Sequence, residues 1–124
     1  MWVAAMLISV ASVTAQNLPG KMVEAFRSGK ATELYSCMER EVDFVVDNTP
    51  KTSRRDVAVD EIQRFFDEKS VRGFVVDHQG VRKESGFMIG TLNTTKGKFR
   101  VQCFLKKSDT NFLIHQIRID GTSE

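Results

Sequence analysis

The sequence is poor in proline, glycine and cysteine, and each shortage excludes a class of protein. Two prolines and eight glycines exclude a collagen-like or low-complexity chain. The two cysteines, Cys37 and Cys103, allow one disulfide at most, and they lie far from the two histidines with no CxxC or HxxxH spacing. That spacing is typical of protein metal sites. We therefore expect no metal and no cofactor.

The sequence also lacks a large excess of either charge. Its 18 basic and 16 acidic side chains leave a net charge of +2, which gives no strong field for nucleic acid. Hydrophobic residues make up 41% and charged residues 27%, the balance of a single globular domain with enough apolar content to fold. We therefore expect no nucleic-acid partner.

Charge is absent altogether before Lys21. Residues 1–15, MWVAAMLISVASVTA, are apolar and small, and the run is as long as the hydrophobic part of a signal peptide. It is shorter than the roughly 20 residues that span a membrane. Val13-Thr14-Ala15 fits the small-x-small cleavage rule, although the usual basic start is missing. The sequence predicts a signal peptide over 1–15, one domain over 16–124 and a periplasmic or secreted protein; a buried N-terminal helix is the alternative.

Hydrophobic periodicity changes once along the chain, near Val71. Before it, helical spacing alternates with one strand; after it, a period of two predicts four strands joined by short turns. Segregated helices and strands favour an α+β fold with an antiparallel meander. The expected elements are a helix from Asn17-Leu18-Pro19 to Ser28-Gly29, a short helix over 31–38, a strand through Val42, Phe44 and Val46, a break at 48–50, a helix capped by Ser53 to Asp56, and strands over 71–79, 84–94, 98–107 and 111–119.

The last hairpin permits a prediction of register. A three-residue turn over 108–110 places Cys103 opposite His115 on a mostly apolar core face. Its other face then carries Phe104, Phe112 and Ile114. A two-residue turn, which would mix the two faces, is the alternative.

Several short motifs resemble a known family. They are Phe65-Phe66, His78-Gln79-Gly80, Ile89-Gly90-Thr91-Leu92, Phe99-Arg100-Val101, Phe104-Leu105-Lys106-Lys107 and Ile117-Arg118-Ile119. With the order of elements, they resemble the nuclear-transport-factor-two-like fold and, within it, a family of small exported bacterial proteins without an assigned activity. The resemblance implies three helices packed on a strongly bent antiparallel sheet, forming a cone with a pocket. The fold hosts many functions, so it implies no reaction.

Three side chains are candidates for the pocket: Tyr35, Cys103 and His115. A histidine beside a cysteine can activate a thiolate. The competing interpretation is a neutral histidine beside an inert buried thiol, with Tyr35 serving in packing. A disulfide between Cys37 and Cys103 is a further alternative to two free thiols.

The basic pairs of the sequence permit two interpretations. They suit either an anion-binding rim or a solvated basic face. The residues concerned are Arg54-Arg55, Arg82-Lys83 and Lys106-Lys107, together with Lys96, Lys98 and Arg100. Since acidic residues lie nearby in the sequence, the sequence favours the solvated face.

Phe104, Phe112 and Ile114 favour a contact surface, because three large hydrophobic side chains in a polar frame are typical of an interface. The favoured function is an exported, non-catalytic module that forms a homodimer through this face and binds a small apolar ligand or a protein. The rival is a small pocket enzyme of isomerase or hydrolase type. An open pocket with two perturbed titratable groups would favour the enzyme, and a filled cone would favour the module.

Overall fold

The computed structural model describes residues 18–46 and 48–122, so the predicted signal peptide over 1–15 lies outside the described residues. These described residues form three helices and six strands. They are α1 (Gly20–Ser28), the 3-10 helix α2 (Ala31–Cys37), β1 (Met38–Val46), β2 (Thr49–Arg54), α3 (Arg55–Lys69), β3 (Val71–Arg82), β4 (Ser85–Thr94), β5 (Gly97–Ser108) and β6 (Asn111–Gly121). The predicted α+β class with three helices is confirmed.

Helix α1 buries Met22, Ala25 and Phe26, which recur every three or four residues and so form one stripe. Pro19 precedes the helix with a φ of −67°, the angle to which its ring restricts it. Gly29 ends the helix at a φ of 72°, and its N–H donates to the carbonyl of Ala25. Glycine adopts this left-handed conformation without steric cost.

Helix α3 begins at Arg55, directly after a strand. The predicted capping box at Ser53 is therefore wrong: Ser53 lies in β2 opposite Val42 of β1, so its backbone is held in an extended ladder. Arg54 occupies the N-cap position without a side-chain hydrogen bond. The helix buries Ala58, Val59, Ile62, Phe65 and Phe66.

The six strands form one sheet in the order β2-β1-β6-β5-β4-β3. The last four strands form the predicted antiparallel meander, but β1 pairs with β6 in parallel, so the sheet is mixed. The break predicted over 48–50 is shorter than expected, because Thr49 and Pro50 already belong to strand β2. This strand is an edge strand, and proline is tolerated at a sheet edge, where no further strand needs its missing N–H.

The predicted register of the β5–β6 hairpin is wrong. Ser108 pairs with Asn111 and Leu105 with Ile114, so the turn contains only Asp109 and Thr110. Asp109 has a φ of 58°, the left-handed conformation that two-residue hairpin turns require. The register then shifts, because Phe104 pairs with Gln116 and leaves one extra residue on β6. This β-bulge reverses the inward and outward positions along the strand.

The core fills the space between the three helices and one face of the sheet. Phe26 stacks on Phe74 with ring centroids 5.2 Å apart and meets Phe66 edge-on at 5.7 Å. Phe65 meets Phe99 edge-on at 5.0 Å. Fully buried aliphatic side chains complete the interior, among them Met22, Leu34, Ile62, Met88, Leu92 and Ile117. Large apolar side chains therefore occupy the inside of the cone.

Candidate functional site

The structure separates the two residues of the predicted thiolate pair. Cys103 is fully buried on the core face, where it pairs with Ile117 and Met88. His115 is the extra residue of the β6 bulge and lies, partly buried, beside Phe104 in a groove. The predicted cross-strand pair of Cys103 and His115 is wrong because the turn is one residue shorter than expected and a bulge follows.

Both cysteines are free, buried thiols. Burial, with a smaller contribution from Cys37, raises the pKa of the Cys103 thiol far above its usual range. Burial is also the main cause that raises the pKa of Cys37, whose thiol contacts the carbonyl oxygen of Glu33 at 3.8 Å. A raised pKa keeps a thiol protonated and unreactive. The arrangement matches the interpretation of Cys103 as an inert core residue.

Tyr35 lies outside the core. Its side chain is 43% exposed, and the guanidinium of Arg55 lies 4.4 Å from its ring centroid. Arg55 also donates to the carbonyl of Met38 at 3.2 Å. These groups border a groove of about 660 Å³ that also contains Glu39 and Glu41. Tyr35 therefore packs against a cation in a groove of mixed charge.

The sheet face turned away from the helices, called the outer face below, carries an apolar patch. Phe87 of β4 pairs with Phe104 of β5, and Ile89 lies two residues further along β4; all three side chains are partly buried. Phe112 and Ile114, expected on this face, are 6% and 0% exposed in the core. The two-residue turn sends them inward, so they do not contribute to an outer contact surface.

Sequence reasoning missed Phe87 and Ile89. The turn before β4 did not fix which residues of that strand face inward. The available signal was the alternation of Gly86, Met88 and Gly90 with Phe87 and Ile89. In the structure Gly86, Met88 and Gly90 are buried, so Phe87 and Ile89 face outward.

A groove opens beside this patch. Phe87, Phe104, Val81 and His115 line it, and its volume is about 560 Å³. Gly80 lies opposite Phe87, and a Cβ atom on it would lie 2.9 Å from Cε1 of the Phe87 ring. The missing side chain at Gly80 lets the ring lie flat against β3. We call this the aromatic groove.

His115 in the aromatic groove favours its neutral form. Partial burial is the main cause that lowers the pKa of its imidazole, and the charge of Lys106 lowers it further; Glu39 and Asp43 act in the opposite direction. A neutral imidazole presents one donor and one acceptor.

Four cations meet at the adjacent corner of the sheet. Arg82 ends β3, Lys83 lies in the β3–β4 turn, and Lys106 and Lys107 lie near the end of β5. With Glu84 and Ser85 they line a cavity of about 410 Å³. We call these four cations the basic corner. The other basic residues considered in the sequence lie elsewhere: Arg54 and Arg55 line the groove at Tyr35.

Two kinds of feature are absent from residues 18–46 and 48–122. These residues contain no group of three or more His, Cys, Asp or Glu side chains able to hold a metal ion. No helix in this part of the chain is long and apolar enough to cross a membrane.

Comparisons with known proteins identify relatives of the whole fold. A family model described as Domain of unknown function (DUF4783) matches residues 20–120. A crystal structure of a DUF4783 family protein from Bacteroides ovatus is 45% identical, with a TM-score of 0.84 over 88% of this chain and 99% of the other. One from Bacteroides uniformis is 41% identical, with a TM-score of 0.83 over 87% of this chain and 100% of the other.

A more distant comparison concerns the fold alone. An NTF-2-like protein of unknown function from Silicibacter pomeroyi is 9% identical, with a TM-score of 0.59 over 97% of this chain and 99% of the other. Among curated proteins, none matches the chain. The expected nuclear-transport-factor-two-like fold is confirmed.

Proposed function

This chain belongs to the DUF4783 family, and we propose that it is an exported, non-catalytic binding module that forms a homodimer through the outer face of its sheet. The observation that carries the proposal is the apolar patch of Phe87, Ile89 and Phe104 on the face opposite the helices.

The distribution of the candidate catalytic groups supports a non-catalytic role. A pocket enzyme needs its nucleophile, base and orienting group within hydrogen-bond reach of one another. Cys103 is buried in the core, His115 lies in the aromatic groove and Tyr35 borders a third site. The space between the helices and the sheet is filled by aromatic and aliphatic side chains. A filled cone favours binding at the surface over chemistry inside.

The apolar patch supports a contact surface. Each large side chain left in water forgoes roughly 1.5–3 kcal/mol of burial free energy. The helices pack on the opposite face of the sheet, where α1 and α3 contribute to the same core as Phe74 and Phe99. A second copy supplies apolar area for Phe87, Ile89 and Phe104 without any further segment of the chain.

The charges around the patch favour a copy of the same chain. Glu41 and Asp43 lie on β1, and Arg100 and Lys106 lie on β5, the strand that also carries Phe104. Because β6 alone separates β1 from β5, a two-fold axis near β6 would bring the acidic strand of one copy near the basic strand of its partner. Such self-complementarity is the requirement of an isologous interface.

Sedimentation velocity of the purified protein tests the proposal. We expect a dimer at micromolar concentration, and we expect Phe104→Lys to shift it to a monomer with an unchanged circular dichroism spectrum. Val57→Lys is the matched control, since Val57 is an exposed apolar residue on helix α3. A wild-type protein that stays monomeric at high micromolar concentration would contradict the homodimer.

A further inference from the structure

We propose that the basic corner and the aromatic groove together bind one single-chain anionic amphiphile, with its phosphate, sulfate or carboxylate head at the corner and its apolar chain along the groove. The inference names a ligand for the proposed binding module and in that sense rests on the proposed function. Because Phe87 and Phe104 belong both to the proposed dimer face and to the aromatic groove, the amphiphile occupies the groove when the second copy is absent.

The backbone holds the cations of the basic corner in place. Arg82 pairs with Ser85 at the end of the β3–β4 ladder, and the Ser85 hydroxyl donates to the carbonyl of Arg82 at 3.3 Å. The N–H of Lys107 donates to the carbonyl of Glu84 at 2.8 Å, which fastens the end of β5 to the turn. Lys83 occupies the left-handed region with a φ of 51°, as a tight hairpin turn requires. The backbone from which the four cations project is therefore fixed before a ligand arrives.

The cations of this corner have no internal carboxylate partner. Within residues 18–46 and 48–122, ion pairs join Arg27 to Glu24, Lys51 to Glu61, Arg54 to Asp56 and Arg118 to Asp120, and none includes a residue of the basic corner. Glu84 is the single acid among the residues that line the cavity. Four cations around one cavity attract an anionic group, and arginine and lysine are the side chains that bind phosphate.

The aromatic groove gives this anion an apolar neighbour. Arg82 and Ser85 line both the basic corner and the groove, so the two cavities adjoin. Phe87 and Phe104 supply the apolar wall. The volumes of about 410 and 560 Å³ lie within the range of roughly 300–1,000 Å³ typical of small-molecule sites.

The two adjoining cavities fit a ligand that has both a charged head and an apolar chain. An inorganic anion would leave the groove unused, and a neutral apolar molecule would leave the four cations without a partner. The apolar side chains Phe87 and Phe104 are partly buried in a sheet face rather than projecting from it, which suits a free single chain better than a membrane surface.

Titration of the protein with decyl phosphate, followed through the NMR chemical shifts of the backbone amides, tests the inference. The concentration of decyl phosphate is kept below the one at which it forms micelles. Inorganic phosphate supplies the head alone, decanol supplies the chain alone, and phosphatidylglycerol vesicles supply the membrane alternative. We expect decyl phosphate to bind about tenfold or more tightly than either part, since a charge-assisted contact and an apolar contact each contribute about that factor. Its shifts should centre on β3, β4 and β5 near Arg82 and Phe87, and its affinity should fall as salt rises.

Charge-reversal variants test the basic corner directly. Arg82→Glu combined with Lys107→Glu should weaken decyl phosphate binding about tenfold or more, and the milder Arg82→Gln with Lys107→Gln keeps the test valid if the reversal impairs folding. Lys96→Glu combined with Lys98→Glu makes the same change in net charge at the opposite, β4–β5 turn and should leave affinity unchanged.

Four results would overturn the inference: phosphate binding as tightly as decyl phosphate, decanol doing so, the control pair weakening binding as much as the corner pair, or binding to vesicles alone. The substituted residues are not part of the apolar patch of Phe87, Ile89 and Phe104. Sedimentation velocity of the same charge variants therefore distinguishes a failed ligand test from a failed dimerisation test.

Discussion

The ring of Phe74 on β3 occupies the space that a side chain on Gly90 of β4 would need. A Cβ atom at Gly90 would lie 2.3 Å from Cζ of Phe74 and 2.7 Å from the carbonyl oxygen of Val75. The absence of a side chain at one position therefore allows an aromatic ring of the neighbouring strand to lie across the sheet and reach the Phe26 ring of α1.

Gly90→Ala should destabilise the protein by about 1–3 kcal/mol, the cost of overpacking a tight site. Urea unfolding at fixed pH measures this loss. Gly73→Ala is the matched control, because Gly73 also lies in the sheet and a Cβ there meets no atom within 4 Å. Equal losses for the two variants would contradict the role assigned to the Phe74 ring.

Stability should fall as pH is lowered through the titration of His115. Its pKa in the folded protein lies below the ordinary value of 6.5, so the unfolded chain binds the proton first. The stabilising effect of the neutral form is present above that ordinary value and is lost as pH falls toward the folded pKa. Urea unfolding between pH 8 and pH 5 should show a smaller loss for His115→Gln than for the wild type. An identical pH profile would contradict this assignment.

Cys103→Ser should lower the free energy of unfolding. Under conditions in which the variant is as fully folded as the wild type, its function should be unchanged. A hydroxyl in the apolar core without a partner costs roughly 1–3 kcal/mol. In the wild type, both thiols should react with a thiol reagent only after denaturation, because both are buried and protonated. Rapid labelling of Cys103 in the folded state would contradict the inert role, and the absence of reactive thiols after denaturation would indicate a disulfide.

Export should remove the first 15 residues. The apolar run ends in Val13-Thr14-Ala15, which suits cleavage before Gln16. N-terminal sequencing of the protein recovered from its native cells should begin at Gln16. A cytoplasmic product that retains Met1 would contradict export.

Much of the fold was predictable, because strong periodicity in α3 and in the last four strands survives in the structure. The register of the last hairpin was not. Apolar residues occur at every second position through Phe112 and Ile114 and again through Ile117 and Ile119. Because Ile114 and Ile117 are three residues apart, one extra residue must lie between the two alternating segments. The bulge at His115 supplies that residue, and it was visible as a spacing of three between Ile114 and Ile117.

Other features had no local signal. The parallel pairing of β1 with β6 joins segments about 70 residues apart, and neither strand indicates its partner. The basic corner forms because the β3–β4 turn meets the end of β5. The four cations occur in the sequence as two ordinary pairs, and only the sheet topology brings them together.

The place of β6 in the sheet decides when the protein can fold. It is the last strand of the described chain, yet it lies between β1 and β5. Until it arrives, β1 and β2 form an isolated hairpin, which is marginally stable in water, and β3, β4 and β5 lack one side of their core. During synthesis the sheet therefore closes only after the residues of β6 have emerged. Truncation within β6 would therefore abolish the entire fold rather than fray one edge.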